Sequence, residues 1–168
     1  PGVNLYAYKV LDNWGSGTFS DVMTAIEMAV DPNFDYNFDD HMDIISMSLG
    51  SSDGNSNDPM SRVVNNAVAA GVVAVIAAGN DGDFGLGTIG SPGTAKDAIT
   101  VGASCKPSQY YNETINYCNP TYPGQVPGVA WFSSKGPENI FEKPDVVAPG
   151  VEICSSAANV IQEQIKEQ

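Results

Sequence analysis

The feature that most constrains this chain is a continuous apolar run, VVAVIAA, at residues 72–78. Its length is typical of a β-strand, and the lack of polar alternation indicates a strand that is buried on both faces. Such strands occur in parallel sheets that are covered by helices. The run ends at Gly79-Asn80, so that a carboxamide follows a buried strand. In open α/β sheets, ligands bind beyond the carboxyl ends of the strands, and this position therefore predicts a site.

Strand and helix patterns alternate on both sides of the run. Apolar stripes with helical spacing occupy residues 22–30 and 60–70, and Gly71 is typical of a helix end. The predicted strands are 3–10, 43–49, 72–78, 98–103, 128–134, 145–148 and 151–155. The repeated β-α-β spacing predicts an α/β fold with a mostly parallel sheet and right-handed crossovers.

Composition excludes several classes of function. A chain of 168 residues is long enough for one domain with a hydrophobic core. Its 20 acidic and 7 basic residues give a formal net charge of −13, so we expect no nucleic-acid partner, because phosphate binding needs a basic surface. No apolar run approaches the length of about eighteen residues that spans a membrane, so we expect no membrane segment.

The chain contains 3 cysteines. Cys105 and Cys118 bracket a polar loop, and their spacing allows a disulfide that would stabilise the fold by roughly 3 kcal/mol. Two ordinary thiols on a loop are the alternative. A disulfide would indicate a secreted or extracellular protein. Cys154 would then remain as a buried small apolar side chain or as the partner of a cysteine in another chain.

Five segments together carry a specific family resemblance. In chain order they are ISMSLG, VVAVIAAGN, GSPGTAKDAITVGA, WFSSKGP and KPDVVAPGVEICS. They resemble the subtilisin-like serine proteases, over about residues 1–156, and the resemblance fades in a helix-prone tail at 157–168. The resemblance implies the central part of a peptidase domain, an incomplete three-layer α/β sandwich with a mostly parallel sheet. It also implies that the parent protein hydrolyses peptide bonds with an Asp, a His and a Ser.

The resemblance implies a catalytic role for Asn80. Its carboxamide N–H would donate to the oxyanion of the tetrahedral intermediate, because a donor that is held rigidly at a strand end needs no reorganisation when charge develops. The alternative is a structural asparagine that tolerates a left-handed turn after glycine.

Two strand ends would bind the polypeptide substrate. The segment 48–50 would pair with the substrate backbone as an added strand, and 77–79 would wall the pocket for the residue before the scissile bond. Plain β-turns are the alternative. The residues with these implied roles are Ser48, Leu49, Gly50, Ala77, Ala78 and Gly79. The segment 87–93 would lie near the far end of the pocket.

The catalytic triad of such a protease is not visible in this chain. The family's Asp and His motifs would precede residue 1, and its Ser motif would follow the last segment. The single histidine, His41, lacks a Gly-Thr-His pattern and is expected at the surface or beside a metal. We therefore expect this piece to be inactive alone, with the remaining parts of the protease domain as its partners, in the same chain or in others.

An acidic insertion occupies residues 31–43. Hard oxygen ligands at alternate positions of a loop suit calcium, although Tyr36 and Met42 stand where an EF-hand needs glycine and glutamate. The resembled family often binds calcium. The candidate ligands are Asp31, Asn33, Asp35, Asn37 and Asp39. A solvated acidic loop is the alternative.

Two other functions compete with a protease. One is a non-catalytic relative that keeps the fold as a binding or scaffold domain. The other is a nucleotide-binding α/β protein, since Gly85-Leu86-Gly87-Thr88-Ile89-Gly90 matches the dinucleotide pattern. That motif starts well after the strand ends, and Ser91-Pro92-Gly93 is not expected to open a helix whose N-terminus could bind phosphate.

Overall fold

The four strands among the residues that the structure describes form one parallel sheet in the order β1-β2-β3-β4. The computed structural model describes residues 2–106, 116–118, 128–137 and 142–155. The helices and strands are α1 (Phe19–Val30), β1 (Ile44–Met47), α2 (Pro59–Ala69), β2 (Val73–Ala77), β3 (Ile99–Ser104) and β4 (Val146–Pro149). The crossover from β1 to β2 carries α2, as the sequence pattern predicts, and the predicted parallel α/β architecture is confirmed.

Side chains at the helix ends explain where the helices begin and end. Thr18 caps α1, and its Oγ1 accepts a hydrogen bond from the N–H of Asp21 at 3.1 Å. Asp58 caps α2 in the same way, with the N–H of Ser61 at 2.7 Å from its Oδ1. Gly71 follows α2 with a φ of +111°, which is the left-handed conformation that favours glycine at a helix end.

Both helices pack against one face of the sheet. The buried core between helices and sheet consists of Val22, Ile26, Met60, Val64, Ala67, Val72, Ala74, Ile76, Ala95 and Ala98. The expectation that the 72–78 strand is buried on both faces is wrong for the described residues. Burial alternates along β2, and Val73 is 44% exposed on the face opposite the helices. Ile44, paired with Val73, is also exposed.

Three predicted strands are absent from the described part of the chain. Residues 2–10 form no ladder, and Leu5 is 91% exposed. Residue 129 makes only an isolated bridge with Ser104, and 131–133 are turns. Residues 151–155 follow β4 and belong to no described strand. An alternating or β-branched sequence becomes a strand only where a neighbouring strand is available, and no described strand forms a ladder of more than one residue pair with these segments.

A disulfide joins Cys105 and Cys118, whose Cα atoms are 6.3 Å apart. Both cysteines are buried against Ala130 and Val151, in a small second core beside β3. Cys154 is exposed, so the expectation of a buried side chain is wrong. Most of the bracketed loop and all of the tail 157–168 lie outside the described residues. No helix in the described ranges is long and apolar enough to cross a membrane.

Candidate active site

A cleft of about 630 Å³ lies at the carboxyl ends of β1 and β2. All seven residues that the sequence analysis assigned to catalysis or substrate binding line it, together with twelve others. The lining residues are Leu11, Gly15, Ser16, Gly17, Thr18, Phe19, Val22, Ser48, Leu49, Gly50, Ser51, Ser52, Met60, Ala77, Ala78, Gly79, Asn80, Asp81 and Gly90.

The parallel register brings the two predicted strand ends together. β1 pairs with β2 up to Met47 opposite Ile76. The ladder between these two strands ends directly after this pair. The segments 48–50 and 77–80 therefore emerge side by side at the same edge of the sheet. Ser48 and Gly50 are exposed, whereas Ala78 is buried.

The back of the cleft is closed by the segment 90–94. Ser51 and Ser91 form an antiparallel bridge, with the N–H of Ser51 donating to the carbonyl of Ser91 at 2.9 Å. A side chain at Gly50 would come within 2.8 Å of the same carbonyl, so the two segments approach more closely than any larger residue allows. The sequence predicted 87–93 near this position, and Gly90 does line the cleft.

Buried hydroxyl groups fix this back segment to α2. Ser61, on the first turn of α2, and Thr94 are fully buried, and their hydroxyl oxygens are 2.9 Å apart. The N–H of Thr94 also donates a hydrogen bond to the carbonyl of Gly90, at 3.1 Å. The capping of α2 and the shape of the cleft are therefore linked through Ser61.

Asn80 is exposed at the mouth of the cleft, on the turn that follows β2. Its carboxamide makes no hydrogen bond with any described residue. Gly79, directly before it, has a φ of +111°, which turns the chain out of the strand and into the cleft. An unpartnered carboxamide beside a substrate-sized cleft can donate to an oxygen atom of a bound ligand.

One wall of the cleft was missed by the sequence analysis. It consists of the loop 11–18 and the first turns of α1, including the aromatic ring of Phe19. Phe19 and Val22 are three residues apart on the helix, and the first of them is exposed. An exposed aromatic residue in the first turn of a predicted helix was the available signal.

A side chain–backbone turn shapes this loop. Oδ1 of Asp12 accepts hydrogen bonds from the N–H groups of Trp14 at 2.8 Å and of Ser16 at 2.9 Å. The hydrogen bond from Ser16, followed by that from Trp14, holds the pKa of the Asp12 carboxyl below its ordinary value of 3.8.

The acidic segment lies apart from the cleft, and its polar side chains bind its own backbone. Oδ1 of Asn33 accepts the N–H of Asp35 at 2.9 Å, and Oδ1 of Asp35 accepts the N–H of Asn37 at 2.8 Å. The N–H of Asp39 donates to Asn37 in the same way, at 3.4 Å. These are successive Asx turns, in which an Asp or Asn side chain caps the residue two positions ahead. The alternation that suggested calcium is therefore also the spacing that these turns require.

Asp31 anchors the segment. Asp31 as a residue is 8% exposed, and its carboxylate accepts the N–H groups of Asp35 at 3.1 Å and Tyr36 at 2.9 Å. Within the described ranges, no group of three or more His, Cys, Asp or Glu side chains could hold a metal ion. In the described residues this segment forms a hydrogen-bonded loop, and the calcium ligands assigned to it stay a prediction.

His41 lies at the wrong end of the sheet for catalysis. Its Nδ1 is 3.0 Å from the carbonyl of Met42, and its Nε2 lies beside Gly71, where an added Cβ would approach within 2.9 Å. Gly71 precedes β2 and Asn80 follows it, so the five-residue strand separates the two positions by about 16 Å. His41 is half-buried beside the end of α2, away from the cleft.

A buried lysine supports the sheet at the amino ends of β3 and β4, away from the cleft. Nζ of Lys143 donates to the carbonyl of Ala98 and to Oδ2 of Asp145, both at 2.7 Å. Burial works to raise the pKa of Asp145, but the hydrogen bonds from Lys143 and from the N–H of Thr100 outweigh it and hold this pKa below its ordinary value. The pair fixes the start of β4 against β3.

The glycine-rich segment 85–90 has no phosphate-binding geometry. It leads into turns at 92–94 and not into a helix, so no helix N-terminus points at it. In the described part of the chain, the strand ends of an α/β sheet border a cleft, and the carboxamide of Asn80 has no described partner at its mouth. These features define an α/β protein with a candidate ligand-binding cleft at its strand ends.

Comparison with known proteins identifies the group to which the chain belongs. The model of the subtilase family matches residues 1–168, and the chain is a member of the subtilase family. Serine protease AprX of Bacillus subtilis is 42% identical over 161 residues, which cover 92% of this chain and 33% of that protein. Pyrolysin of Pyrococcus furiosus is 40% identical over 172 residues, covering 93% of this chain and 11% of that protein.

Similar solved structures support the family membership and the fold. Sphericase superposes with a TM-score of 0.68 at 36% identity, covering 95% of this chain and 47% of that structure. The family resemblance and the subtilisin-like α/β fold predicted from the sequence are both confirmed. The chain spans about a third of AprX and about half of sphericase.

Proposed function

We propose that this chain is part of a serine endopeptidase, to which it contributes the substrate cleft and the oxyanion donor. The observation that carries the proposal is Asn80, whose unpartnered carboxamide stands at the mouth of a cleft built from two strand ends. During attack on a peptide bond, negative charge develops on the former carbonyl oxygen, and a donor fixed in advance stabilises that charge most.

The substrate would bind as an extended strand along 48–50. These residues continue β1 beyond its last ladder pair, and they border the cleft that Asn80 closes at the other side. The side chain before the scissile bond would enter between 48–50 and 77–79, where small residues leave space. The apolar surface of Phe19 and Val22 would hold a side chain further from the scissile bond.

The nucleophile and the base would come from the remaining parts of the protease domain. The relatives are longer than this chain, and its single histidine lies far from Asn80. The full-length protein is expected to hydrolyse casein and to lose this activity after treatment with a sulfonyl fluoride, which modifies an activated serine. The 168-residue chain alone is expected to hydrolyse none, and steady hydrolysis by it would refute this division of roles. A full-length protein that binds casein without cleaving it would favour the non-catalytic alternative.

The exposed face of the sheet is the proposed docking surface for those remaining parts. Ile44, Val73, Ile99 and Val146 are apolar, exposed and on the side away from the helices. In the full-length protein, Val73→Asp should lower the free energy of unfolding by more than about 2 kcal/mol, because it would bury an unpaired charge. Phe84→Asp is the control, since Phe84 is an exposed apolar residue outside the sheet. Equal effects of the two substitutions would contradict the proposal.

Calcium enters the proposal as a stabilising ion and not as part of the chemistry. Each carboxylate oxygen of Asp31 and Asp35 can accept a second contact besides its turn hydrogen bond. We place the ion in the acidic segment, among residues 31–39. Chelation with EGTA should then lower the Tm of the protein. A Tm that is the same with calcium and with chelator would remove calcium from the proposal.

An extracellular location follows from the cysteines. A disulfide such as Cys105–Cys118 forms and persists in oxidising compartments. Thiol titration of the 168-residue segment in unfolded, unreduced protein should find one reactive group, Cys154, and three after reduction. Three thiols before reduction would indicate a reducing compartment.

A further inference from the structure

One buried serine holds the chain on both sides of Asn80. The N–H of Ser134 donates to the carbonyl of Gly79 at 3.1 Å, and the Oγ of Ser134 accepts the N–H of Asp81 at 3.0 Å. Ser134 is 1% exposed, so both hydrogen bonds are shielded from water. The two peptide groups that flank Asn80 are therefore tied to a single residue from another part of the chain, 54 positions further on than Asn80.

We infer that Ser134 is a positioning residue for Asn80, and that it sets the direction of the oxyanion donor. The inference rests on the proposed role of Asn80. The carboxamide has no described partner that could orient it, so its direction depends on the backbone of the turn 79–81. Ser134 fixes that backbone at both ends. A preorganised donor stabilises the transition state without moving, whereas a mobile one must be ordered first.

The packing around Gly79 supports this assignment. A Cβ at Gly79 would come within 2.8 Å of Oγ of Ser134, which leaves room for the hydroxyl and little more. Gly79 has a φ of +111°, a conformation that few other residues adopt, and in it the carbonyl of Gly79 accepts the N–H of Ser134. The next residue, Lys135, is also fixed, because its N–H donates to Oγ1 of Thr88 at 3.0 Å. This bond anchors the chain that follows Ser134.

Ser133 offers a matched control in the same segment. It is equally buried, at 1% exposure, and its Oγ accepts the N–H of Ala103 at 2.9 Å. That bond ties the segment to β3 and does not involve the turn at Asn80. Replacing Ser133 by alanine removes a buried hydroxyl acceptor of the same kind while leaving both hydrogen bonds of Ser134 in place.

The test measures kcat and KM of the full-length protein on a peptide substrate in five forms. These are the wild type, Ser134→Ala, Ser133→Ala, Asn80→Ala and the double variant Ser134→Ala/Asn80→Ala. Ser134→Ala should lower kcat about tenfold, because loss of a buried hydrogen bond acceptor frees the turn, and should leave KM within about twofold. Ser133→Ala should leave kcat unchanged. In the Asn80→Ala background, Ser134→Ala should lower kcat no further.

Each outcome decides between the inference and the proposed function. If Asn80→Ala lowers kcat but Ser134→Ala behaves like Ser133→Ala, the positioning role is wrong and the oxyanion role stands. If Ser134→Ala lowers kcat equally in both backgrounds, Ser134 acts independently of Asn80, and the inference is also wrong. An Asn80→Ala variant with normal kcat overturns both. Should Ser134→Ala fail to fold, Ser134→Cys occupies nearly the same space with a weak acceptor, and the same comparisons apply to it.

Discussion

The cleft turn at 79–81 and the acidic segment at 31–43 both place polar side chains next to regular structure, but they use them in opposite ways. In the acidic segment, Asn33, Asp35 and Asn37 each bind a backbone N–H two residues ahead. In the cleft, the side chain of Asn80 binds no described residue, and the backbone around it is held by Ser134 instead. A polar side chain whose hydrogen bonds are used by the fold shapes a loop, whereas one left free beside a cleft is available to a ligand.

The comparison is tested most strongly by the same substitution in the two regions. Asn80→Ala in the full-length protein should lower kcat by about 10²–10³ with little change in KM, a magnitude known for such donors in subtilisin and not one obtained from this structure. Stability should change little, because no hydrogen bond between described residues is lost. Asn33→Ala should leave kcat unchanged and cost about 0.5–1.5 kcal/mol of unfolding free energy, because it removes a turn hydrogen bond.

Steady-state kinetics and urea unfolding of both variants are sufficient for this test. The two substitutions remove the same chemical group from exposed positions, so they differ only in what that group contacts. A loss of stability in Asn80→Ala equal to that in Asn33→Ala would mean that Asn80 is also structural. The distinction between the two regions would then be lost.

The sequence predicted the cleft well because its position follows from the sheet. Two neighbouring strands joined by a helix in a β-α-β pattern are parallel, so 48–50 and 77–80 meet at one edge. The wall formed by Phe19 was not predicted, because an aromatic residue in the first turn of a helix is only a weak signal and does not tell which way the start of α1 faces. Ser134 was also missed, since a contact across 54 positions has no local signal. The role of the acidic segment was harder to predict from the sequence, because calcium ligands and Asx turns require the same residue types at the same spacing.

Within the acidic segment, the comparison predicts which carboxylate matters. Asp31→Ala should lower the free energy of unfolding by about 1–3 kcal/mol, because two backbone N–H groups lose a buried acceptor. Asp39→Ala is the matched control, since this exposed carboxylate accepts no hydrogen bond from the described residues. Urea unfolding in the presence of EDTA measures both variants without any contribution from calcium. Equal effects would mean that charge, and not the turn geometry, decides stability here.

The smallest predicted effect concerns the loop 11–18, which forms a wall of the cleft. As in the acidic segment, a side chain of this loop accepts backbone N–H groups. Oδ1 of Asp12 binds the N–H groups of Trp14 and Ser16, and these bonds lower its pKa from 3.8. A carboxyl whose pKa is lower in the folded state stabilises the fold above its ordinary pKa, and this contribution is lost as the pH falls through the lowered value. The loop should therefore keep its shape well into acid, and loosen only below pH 3.8.

The amide ¹H–¹⁵N shifts of Trp14 and Ser16, followed from neutral pH downward, measure this transition. Both should move together with a midpoint below 3.8, and Asp12→Asn should abolish the movement, because an amide does not titrate in this range. A midpoint at or above 3.8 would show that the turn hydrogen bonds do not favour the ionised carboxyl. The expected result would show that one wall of the cleft is shaped by the side chain–backbone turn of Asp12, whereas the carboxamide of Asn80 at the same cleft has no described partner. Loop-shaping and ligand-facing polar groups would then be distinguished within a single cleft by their hydrogen-bond partners alone.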